Sequence, residues 1–263
     1  MSIIEAIIMG LVQGLTEFLP VSSSGHLEIA NTLLGIEAEE NLAFATVLHG
    51  GTVLSTIVVF RKELARIITG FFRFQNNTEM RFVINILVSM LPIMFVGFFF
   101  KDKIEVLFSN NLLLVGSMLI VTALLLLFSG YAKSKNRDIT IKDAFIIGIA
   151  QAIAVIPGIS RSGATISTGL LLGVKREEVA SFSFLMVLIP IIGINFLDII
   201  GGDFSQASVG IGTGAFITGF ITSFISGVFA CKVMINLVKK GKLVWFAVYC
   251  FAMGIFSIIY SFI

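Results

Sequence analysis

The chain has 263 residues, of which 57% are hydrophobic and 13% charged, and its formal net charge is +2 at pH 7. A soluble domain has roughly a quarter of its residues charged, so this composition excludes a soluble protein and indicates an integral membrane protein. The small net charge is spread between apolar runs, which excludes nucleic acid as a partner. Cys231 and Cys250 form no pattern typical of a disulfide framework or a metal site.

Six apolar runs are each long enough to cross a hydrocarbon layer ~30 Å thick, which takes roughly 20 helical residues. They lie near residues 42–60, 82–100, 112–130, 179–198, 211–231 and 243–262. Two further apolar stretches are interrupted by segments rich in proline, glycine and serine, giving the arm pairs 3–19 with 26–35 and 141–156 with 162–173. Such segments cannot continue a helix, so each pair is either a re-entrant hairpin or one kinked span.

An internal repeat includes both interrupted stretches. Residues 5–44 recur without a gap at 143–182, an offset of 138 positions (143 − 5). The matched pairs include Gly10/Gly148, Gln13/Gln151, Ser22/Ser160, Ser24/Ser162, Gly25/Gly163 and Phe44/Phe182. This offset indicates a duplicated membrane unit whose two broken helices meet at a binding site. The copies also differ, because only the first has Glu17 and His26 and only the second has Arg161.

The distribution of positive charge predicts the topology. Fifteen of the eighteen Lys and Arg residues lie in four connections, 61–81, 131–142, 174–178 and 232–242. The positive-inside rule places these connections in the cytoplasm, and the acidic stretches 36–41 and 199–210 outside. Both flanks of the second broken pair then lie inside, which predicts a re-entrant hairpin, and the first pair enters from the opposite face.

We therefore predict an all-α polytopic membrane protein with six transmembrane helices and two re-entrant hairpins. It forms a single domain of two inverted repeats, approximately residues 1–130 and 139–263, with both termini outside.

The first hairpin predicts a carboxylate at membrane depth. Gln13 and Glu17 are four residues apart, hence on one helical face, and Glu17 directly precedes the break. A carboxylate within the membrane is costly, so we expect Glu17 to face a functional cavity. The alternative is that Glu17 pairs with Arg161 only to neutralise both charges. Glu28 is expected to be a solvated helix-end charge.

The serines after this break can cap the second arm, whose N-terminus attracts anions. Capping explains about two of the residues Ser22, Ser23 and Ser24, but it does not explain His26 at the same tip. Histidine titrates near neutrality and can act as an acid, a base or a nucleophile. His49 lies in an apolar run, and we expect it to be a hydrogen-bonded packing residue.

The second hairpin predicts an anion cradle. A guanidinium, hydroxyl groups and a glycine lie together at another helix N-terminus, in the residues Ser160, Arg161, Ser162, Gly163 and Thr165. Arginine offers a permanently charged, bidentate set of donors that suits phosphate. A lipid-snorkelling role fits Arg161 poorly, because the loop tip lies far from either headgroup layer.

Residues 13–26, QGLTEFLPVSSSGH, and residues 157–165, PGISRSGAT, resemble the bacterial undecaprenyl pyrophosphate phosphatase family, the membrane enzymes linked to bacitracin resistance. The family patterns (E/Q)xxxE and PGxSRSxxT are both present and in order, and the resemblance extends over nearly the whole chain. Gln13 is allowed by the first pattern and leaves one fewer carboxylate for a metal. The broader PAP2 lipid phosphatases have a histidine six residues after the arginine, where this chain has Ser167.

The resemblance implies hydrolysis of undecaprenyl diphosphate to the monophosphate and inorganic phosphate. In this interpretation Arg161, Ser160 and Thr165 clamp the diphosphate together with the hydroxyl and backbone groups of Ser22, Ser24, Ser162 and Gly163. Glu17 and Gln13 hold a divalent cation, Mg²⁺ or Ca²⁺. Ser23 is the candidate nucleophile, Glu17 or His26 is the base, and His26 protonates the leaving group. Two alternatives stay open: His26 is the nucleophile, or Glu17 activates a water molecule.

The expected location is the bacterial cytoplasmic membrane, with a site that opens to the extracytoplasmic side. The expected partners are a polyprenyl diphosphate lipid and the lipid bilayer, and a homodimer is one alternative for the oligomeric state. Opposed broken helices are also typical of transporters, so a flippase for a phosphorylated lipid or other anion is the alternative function. The presence of acid and base groups beside a phosphate clamp favours the hydrolase.

Overall fold

A computed structural model describes residues 1–36, 38–108, 111–132, 135–193 and 211–263, apart from the side chains of residues 38–43, 101, 102, 105 and 108. Eleven α-helices have both ends within these residues: α1 Ile3–Phe18, α2 Ser23–Leu34, α3 Ala38–Val59, α4 Arg61–Phe71, α5 Thr78–Glu105, α6 Leu112–Gly130, α7 Ile141–Ile153, α8 Arg161–Leu171, α9 Arg176–Met186, α10 Thr213–Lys239 and α11 Val244–Tyr260. Residues 188–193 are helical as well. In the same residues, extended pairing is limited to an isolated bridge between Arg137 and Val174. The predicted all-α class is confirmed.

Several helices are long and apolar enough to cross a membrane, which confirms a polytopic membrane protein. Within the described ranges, three helical segments are each long and apolar enough to span a membrane: Thr78–Phe100, Leu112–Gly130 and Thr213–Lys239. Residues 44–59 of α3 reach that length only together with α4. Helix α11 is apolar and 17 residues long. The predicted span 179–198 is described only as far as residue 193, and the predictions for residues 37 and 199–210 lie outside the described residues.

Helix α4 is an element that the apolar runs did not predict. It lies at the start of the basic connection 61–81 and is bent by 75° relative to α3. The helix is amphipathic, since Ile67 and Gly70 are buried while Arg61, Lys62 and Arg66 are exposed. Such a helix is typical of a membrane interface rather than of a span.

Both predicted helix breaks are present, and they are closed by equivalent caps. The Ser22 hydroxyl accepts a hydrogen bond from the Gly25 N–H at 3.2 Å, and the Ser160 hydroxyl accepts one from the Gly163 N–H at 3.0 Å. The two caps lie 138 positions apart, like the sequence repeat. They satisfy N–H groups that the start of a helix leaves without intrahelical partners.

The first helix of each repeated segment packs against a helix that lies outside both segments. Helix α1 lies against α10, and α7 lies against α5. The approach is close in both cases: a Cβ added at Gly14 would lie 2.0 Å from the Ser226 hydroxyl oxygen, and one at Gly148 would lie 2.4 Å from the Ser89 carbonyl oxygen. Glycine is therefore required at both positions.

Helices α6 and α11 cross at a pair of equivalent glycines. A Cβ added at Gly116 would lie 2.7 Å from the Gly254 carbonyl oxygen, and one added at Gly254 would lie 2.8 Å from the Gly116 carbonyl oxygen. These residues are again 138 positions apart (254 − 116). The spacing of 138 positions therefore recurs outside the segments 5–44 and 143–182.

Candidate active site

The two loop tips lie against each other. The Ser162 hydroxyl donates to the Leu19 carbonyl oxygen at 3.2 Å, and a Cβ added at Gly25 would lie 3.1 Å from the Gly158 Cα atom. Gly158 has φ +94°, and a Cβ there would lie 2.4 Å from the Val115 carbonyl oxygen. Only glycine allows both that conformation and that approach.

The Glu17 carboxylate is the centre of the contacts between the two tips. Its side chain is only 5% exposed. Glu17 Oε2 accepts hydrogen bonds from the Ser23 hydroxyl at 2.7 Å and from Gln13 Nε2 at 3.0 Å. Glu17 Oε1 accepts one from Arg161 Nη2. Residues from α1, from the start of α2 and from the start of α8 therefore converge on one buried carboxylate.

Arg161 is less enclosed than its carboxylate partner. Its side chain is 27% exposed, and it is the first residue of α8. The positive end of a helix dipole therefore lies beside the guanidinium, and both favour an anion. Simple neutralisation would explain the ion pair alone. It does not explain the Ser23 hydroxyl on the same carboxylate or the partial opening of Arg161.

A pocket adjoins this ion pair and joins polar to apolar side chains. Its lining consists of Glu17, Phe18, Thr52, Val53, Thr56, Arg161, Ser162, Ser183, Phe184, Val187, Leu188 and Ile191. Glu17 and Arg161 form the charged part of the pocket wall. Most of the apolar part comes from side chains of α3, α9 and residues 187–191. The lining therefore combines a charged pair with apolar side chains.

Most of the remaining predicted phosphate-binding residues take part in the caps. Ser22 and Ser24 hydroxyls are 3.3 Å apart, and so are those of Ser160 and Ser162. Ser22 has φ +70°, a left-handed conformation that is unusual for serine. Gly163 donates its N–H within the second cap. The phosphate-binding role of these residues stays a prediction.

Thr165 lies behind the backbone of Arg161. Its hydroxyl donates to the Arg161 carbonyl oxygen at 2.8 Å and accepts from the Ser183 hydroxyl at 2.5 Å. Thr165 thus supports the first turn of α8, and its predicted contact with phosphate stays a prediction. Ser183, which the sequence did not suggest, is also part of the pocket wall.

His26 is held by groups other than the Glu17 carboxylate. Its Nδ1 donates to the Ser22 carbonyl oxygen at 2.8 Å, and its Nε2 lies 2.8 Å from the Tyr249 hydroxyl oxygen. The two rings are stacked, with centroids 5.5 Å apart. Tyr249 on α11 has no local sequence signal that links it to the loop. The catalytic roles predicted for His26 stay predictions.

His49 is closer to the site than its sequence context suggested. Its Nδ1 donates to the Ala45 carbonyl oxygen at 2.8 Å, which fits the expected packing role, but its Nε2 lies 3.8 Å from Glu17 Oε2. Thr52 and Thr56 follow at helical spacing and also line the pocket. The polar residues at helical spacing in an apolar helix are the sequence feature that could have indicated a functional role for His49.

The expectation for Glu28 is wrong, because that residue is only 4% exposed.

Glu17 and Gln13 offer part of a ligand set that would suit a divalent cation. Gln13 Oε1 is buried and has no hydrogen-bond partner. Within the described residues, no group of three or more His, Cys, Asp or Glu is arranged to hold a metal ion. One carboxylate and one amide oxygen are suitable ligands for Mg²⁺, which usually takes its remaining ligands from water and substrate phosphates.

Comparisons with known proteins agree with this arrangement. The family model described as bacitracin resistance protein BacA matches residues 6–256. The undecaprenyl-diphosphatase of Bacteroides fragilis (strain YCH46) is 57% identical over 259 residues, which cover 98% of this chain and 97% of the relative. That of Christiangramia forsetii is 50% identical and covers 100% and 99% of the two chains. That of Methanosphaera stadtmanae is 39% identical and covers 99% of both.

Proposed function

Since the chain belongs to the bacitracin resistance protein BacA family, we propose that it hydrolyses undecaprenyl diphosphate to undecaprenyl phosphate and inorganic phosphate. This reaction recycles the carrier lipid for cell-wall synthesis. One observation carries the proposal: a hydroxyl and a guanidinium from the two loop tips both donate to one buried carboxylate, and the two charged groups line one pocket. Phosphoryl transfer requires an aligned nucleophile and neutralisation of charge, and these groups supply both.

In this reaction Ser23 is the nucleophile and Glu17 is its base. The 2.7 Å hydrogen bond places the Ser23 proton on the side of Glu17 Oε2. As Ser23 Oγ bonds to the terminal phosphorus, the bond from that phosphorus to the bridging oxygen breaks and undecaprenyl phosphate leaves. Glu17 passes the proton it took from Ser23 to the departing undecaprenyl phosphate. The carboxylate then takes a proton from water, whose oxygen attacks the phosphoserine, and returns that proton to Ser23 Oγ as inorganic phosphate is released.

Arg161 binds the diphosphate. Its guanidinium has five N–H donors, and the contact with Glu17 Oε1 engages the Nη2 group. The partly exposed remainder of the side chain can donate to phosphate oxygens, and the N-terminus of α8 adds to the attraction.

The identity of the nucleophile is tested by trapping a phosphorylated enzyme. Rapid-quench experiments with a prenyl diphosphate labelled in the terminal phosphate should place the label on Ser23. Label on His26 would support the second covalent mechanism. Complete absence of a phosphorylated enzyme would favour a water molecule activated by Glu17. The contact between Ser23 and Glu17 supports the first outcome.

Glu17 and Gln13 Oε1 are the residues that would hold a divalent cation, Mg²⁺ or Ca²⁺. A bound cation neutralises charge on a diphosphate and so assists both binding and departure of the product. The support is the buried, unpartnered oxygen of the same amide whose Nε2 donates to the carboxylate. A chelator should abolish phosphate release, and added Mg²⁺ or Ca²⁺ should restore it.

The prenyl tail lies against α3 and α9. Val53, Phe184 and Leu188 form apolar wall beside the charged pair, so a lipid phosphate can reach Arg161 while its chain stays in an apolar environment. Replacing Val53 by Asp should raise the KM for the lipid substrate much more than that for a short, water-soluble prenyl diphosphate.

The topology proposed for this site is that of two inverted repeats, with six spans, two re-entrant hairpins and the termini outside. Three features support it: the equivalent caps, the Gly116 and Gly254 crossing, and the concentration of Lys and Arg in four connections. The site then opens to the extracytoplasmic side. Cysteines introduced at Ser2 and at Lys240 should react with an impermeant reagent from outside and inside, respectively.

The hydrolase and the alternative flippase are separated by an assay in detergent. Purified protein in micelles has no sides across which to transport a lipid, so release of phosphate there establishes the enzyme. Lipid flipping in liposomes without phosphate release would establish the transporter instead. The names of the relatives support the hydrolase.

A further inference from the structure

We infer that His49 is a third ligand of the divalent-cation site at Glu17 and Gln13, through its Nε2 atom. This inference rests on the proposed function and extends it, because it adds a nitrogen donor to a site that otherwise offers only oxygen. It concerns a residue whose sequence context indicated only packing.

The hydrogen bond at Nδ1 fixes the orientation and the tautomer of His49. A carbonyl oxygen can only accept, so the 2.8 Å contact with Ala45 requires a proton on Nδ1. In the neutral ring the lone pair is then on Nε2, which is the atom nearest to Glu17. Histidines that bind metals commonly donate their other ring N–H to a backbone carbonyl in this way.

The distance from His49 Nε2 to Glu17 Oε2 is compatible with two ligands that share one cation. At 3.8 Å it is too long for a hydrogen bond. A lone pair and a carboxylate oxygen that face each other directly would repel. Two ligands that each lie roughly 2.0–2.3 Å from a shared cation are about 3–4.5 Å apart, depending on the angle between them.

A second observation points to the same ligand. Gln13 Oε1 is buried without a hydrogen-bond partner, while the Nε2 atom of the same amide donates to Glu17 Oε2. Gln13 is fully buried, so this oxygen has lost its solvation without compensation. A cation bound at Glu17 would provide the missing interaction.

His26 provides the contrast within the same chain. Its Nδ1 also donates to a carbonyl oxygen, but its Nε2 is 2.8 Å from the Tyr249 hydroxyl and is therefore already hydrogen-bonded. His49 is thus the histidine whose outer nitrogen is directed to the carboxylate. An imidazole ligand favours transition metals such as Zn²⁺ relative to Mg²⁺ and Ca²⁺, which prefer oxygen.

Mn²⁺ bound to the purified full-length protein tests this assignment directly. The chain has two histidines, so a protein with a tag that lacks histidine allows a ring-nitrogen signal to be assigned by substitution. Pulsed electron paramagnetic resonance on metal-depleted protein with added Mn²⁺ should show coupling to a directly bound ¹⁴N nucleus. The coupling should persist in H26Q and disappear in H49Q, whose Mn²⁺ affinity should be weaker by roughly 10- to 100-fold.

Absence of ¹⁴N coupling in the wild type and in H26Q would overturn the inference, as would unchanged coupling in H49Q. If H49Q fails to fold, the H26Q protein still decides, since His49 is then its only histidine. Phosphate release is measured separately on the same wild-type sample. Release without ¹⁴N coupling would refute the ligand and leave the hydrolase standing, whereas coupling without release would refute the hydrolase alone.

Discussion

The Glu17 and Arg161 pair yields a prediction that separates catalysis from simple charge neutralisation. The perturbation is a cycle of three variants, E17Q, R161Q and the double variant, with R161K as a control that keeps the positive charge. If the pair exists only to neutralise two buried charges, the double variant should regain both the stability and the activity that each single variant loses. If the pair is catalytic, stability should recover and activity should not.

The expected magnitudes follow from the burial of the two side chains. Removing one partner of a fully buried ion pair costs about 3–5 kcal/mol. Glu17 is 5% exposed but Arg161 is 27% exposed, so we expect about 2–3 kcal/mol for each single variant and recovery of more than half of it in the double variant. Because 1 kcal/mol corresponds to roughly 2–4 °C in Tm for a chain of this size, each single variant should melt about 4–12 °C lower.

Activity should follow a different pattern from stability in the same proteins. Loss of an arginine that stabilises a transferring phosphoryl group costs about 10³-fold or more in rate, and loss of a general base costs about 10²- to 10⁴-fold. R161K should remain near wild-type stability and still lose most activity, because lysine lacks the bidentate donor set. Thermal unfolding and phosphate release in detergent supply both readouts. A double variant that regains activity along with stability would refute the catalytic assignment.

Three further predictions concern other parts of the chain. Replacing Ser23 by Ala should reduce phosphate release by at least about 10³-fold and abolish the trapped phosphoenzyme, with only a small fall in Tm, since the variant removes the attacking oxygen while Glu17 keeps its contacts with Gln13 and Arg161. Gly14→Ala should destabilise the protein by about 1–3 kcal/mol because its Cβ would lie 2.0 Å from a hydroxyl oxygen, whereas Gly97→Ala, with nothing within 4 Å, should not. The Lys175 ammonium, 2.7 Å from Asp138, lowers the pKa of that carboxyl. Its small stabilising contribution should be present at neutral pH and lost as the pH falls through the lowered value, and D138N should remove this part of the acid dependence measured by thermal unfolding.

The broken helices and their meeting could be predicted from the sequence because both rest on local rules. Proline, glycine and serine end a helix wherever they occur together, and a constant offset between two such breaks implies a common structure. The same rules placed Glu17 before one break and Arg161 after the other. Their ion pair is a direct consequence of two equivalent tips that face each other.

The residues that the sequence did not reveal reach the site through tertiary packing. Tyr249 contacts His26 across 223 positions, and nothing near Tyr249 marks it as different from the other aromatic residues of α11. His49 lies on α3, and its approach to Glu17 depends on how α3 packs against α1. The amphipathic helix α4 was not predicted for a different reason. Its charged residues are typical of a connection, and a search for continuous apolar runs does not detect a short interfacial helix.

The two repeated segments have identical residues where the backbone conformation requires them. They have different residues where the proposed reaction requires different groups. Ser22 and Ser160 are identical because each must cap a helix whose first N–H groups point into protein rather than water. Glu17 has Val155 as its counterpart in the second copy. A second carboxylate there would need a second cation, since an unpaired charge at this depth is costly. One carboxylate and one guanidinium neutralise each other when no substrate is bound. The guanidinium can still bind a diphosphate when the substrate enters.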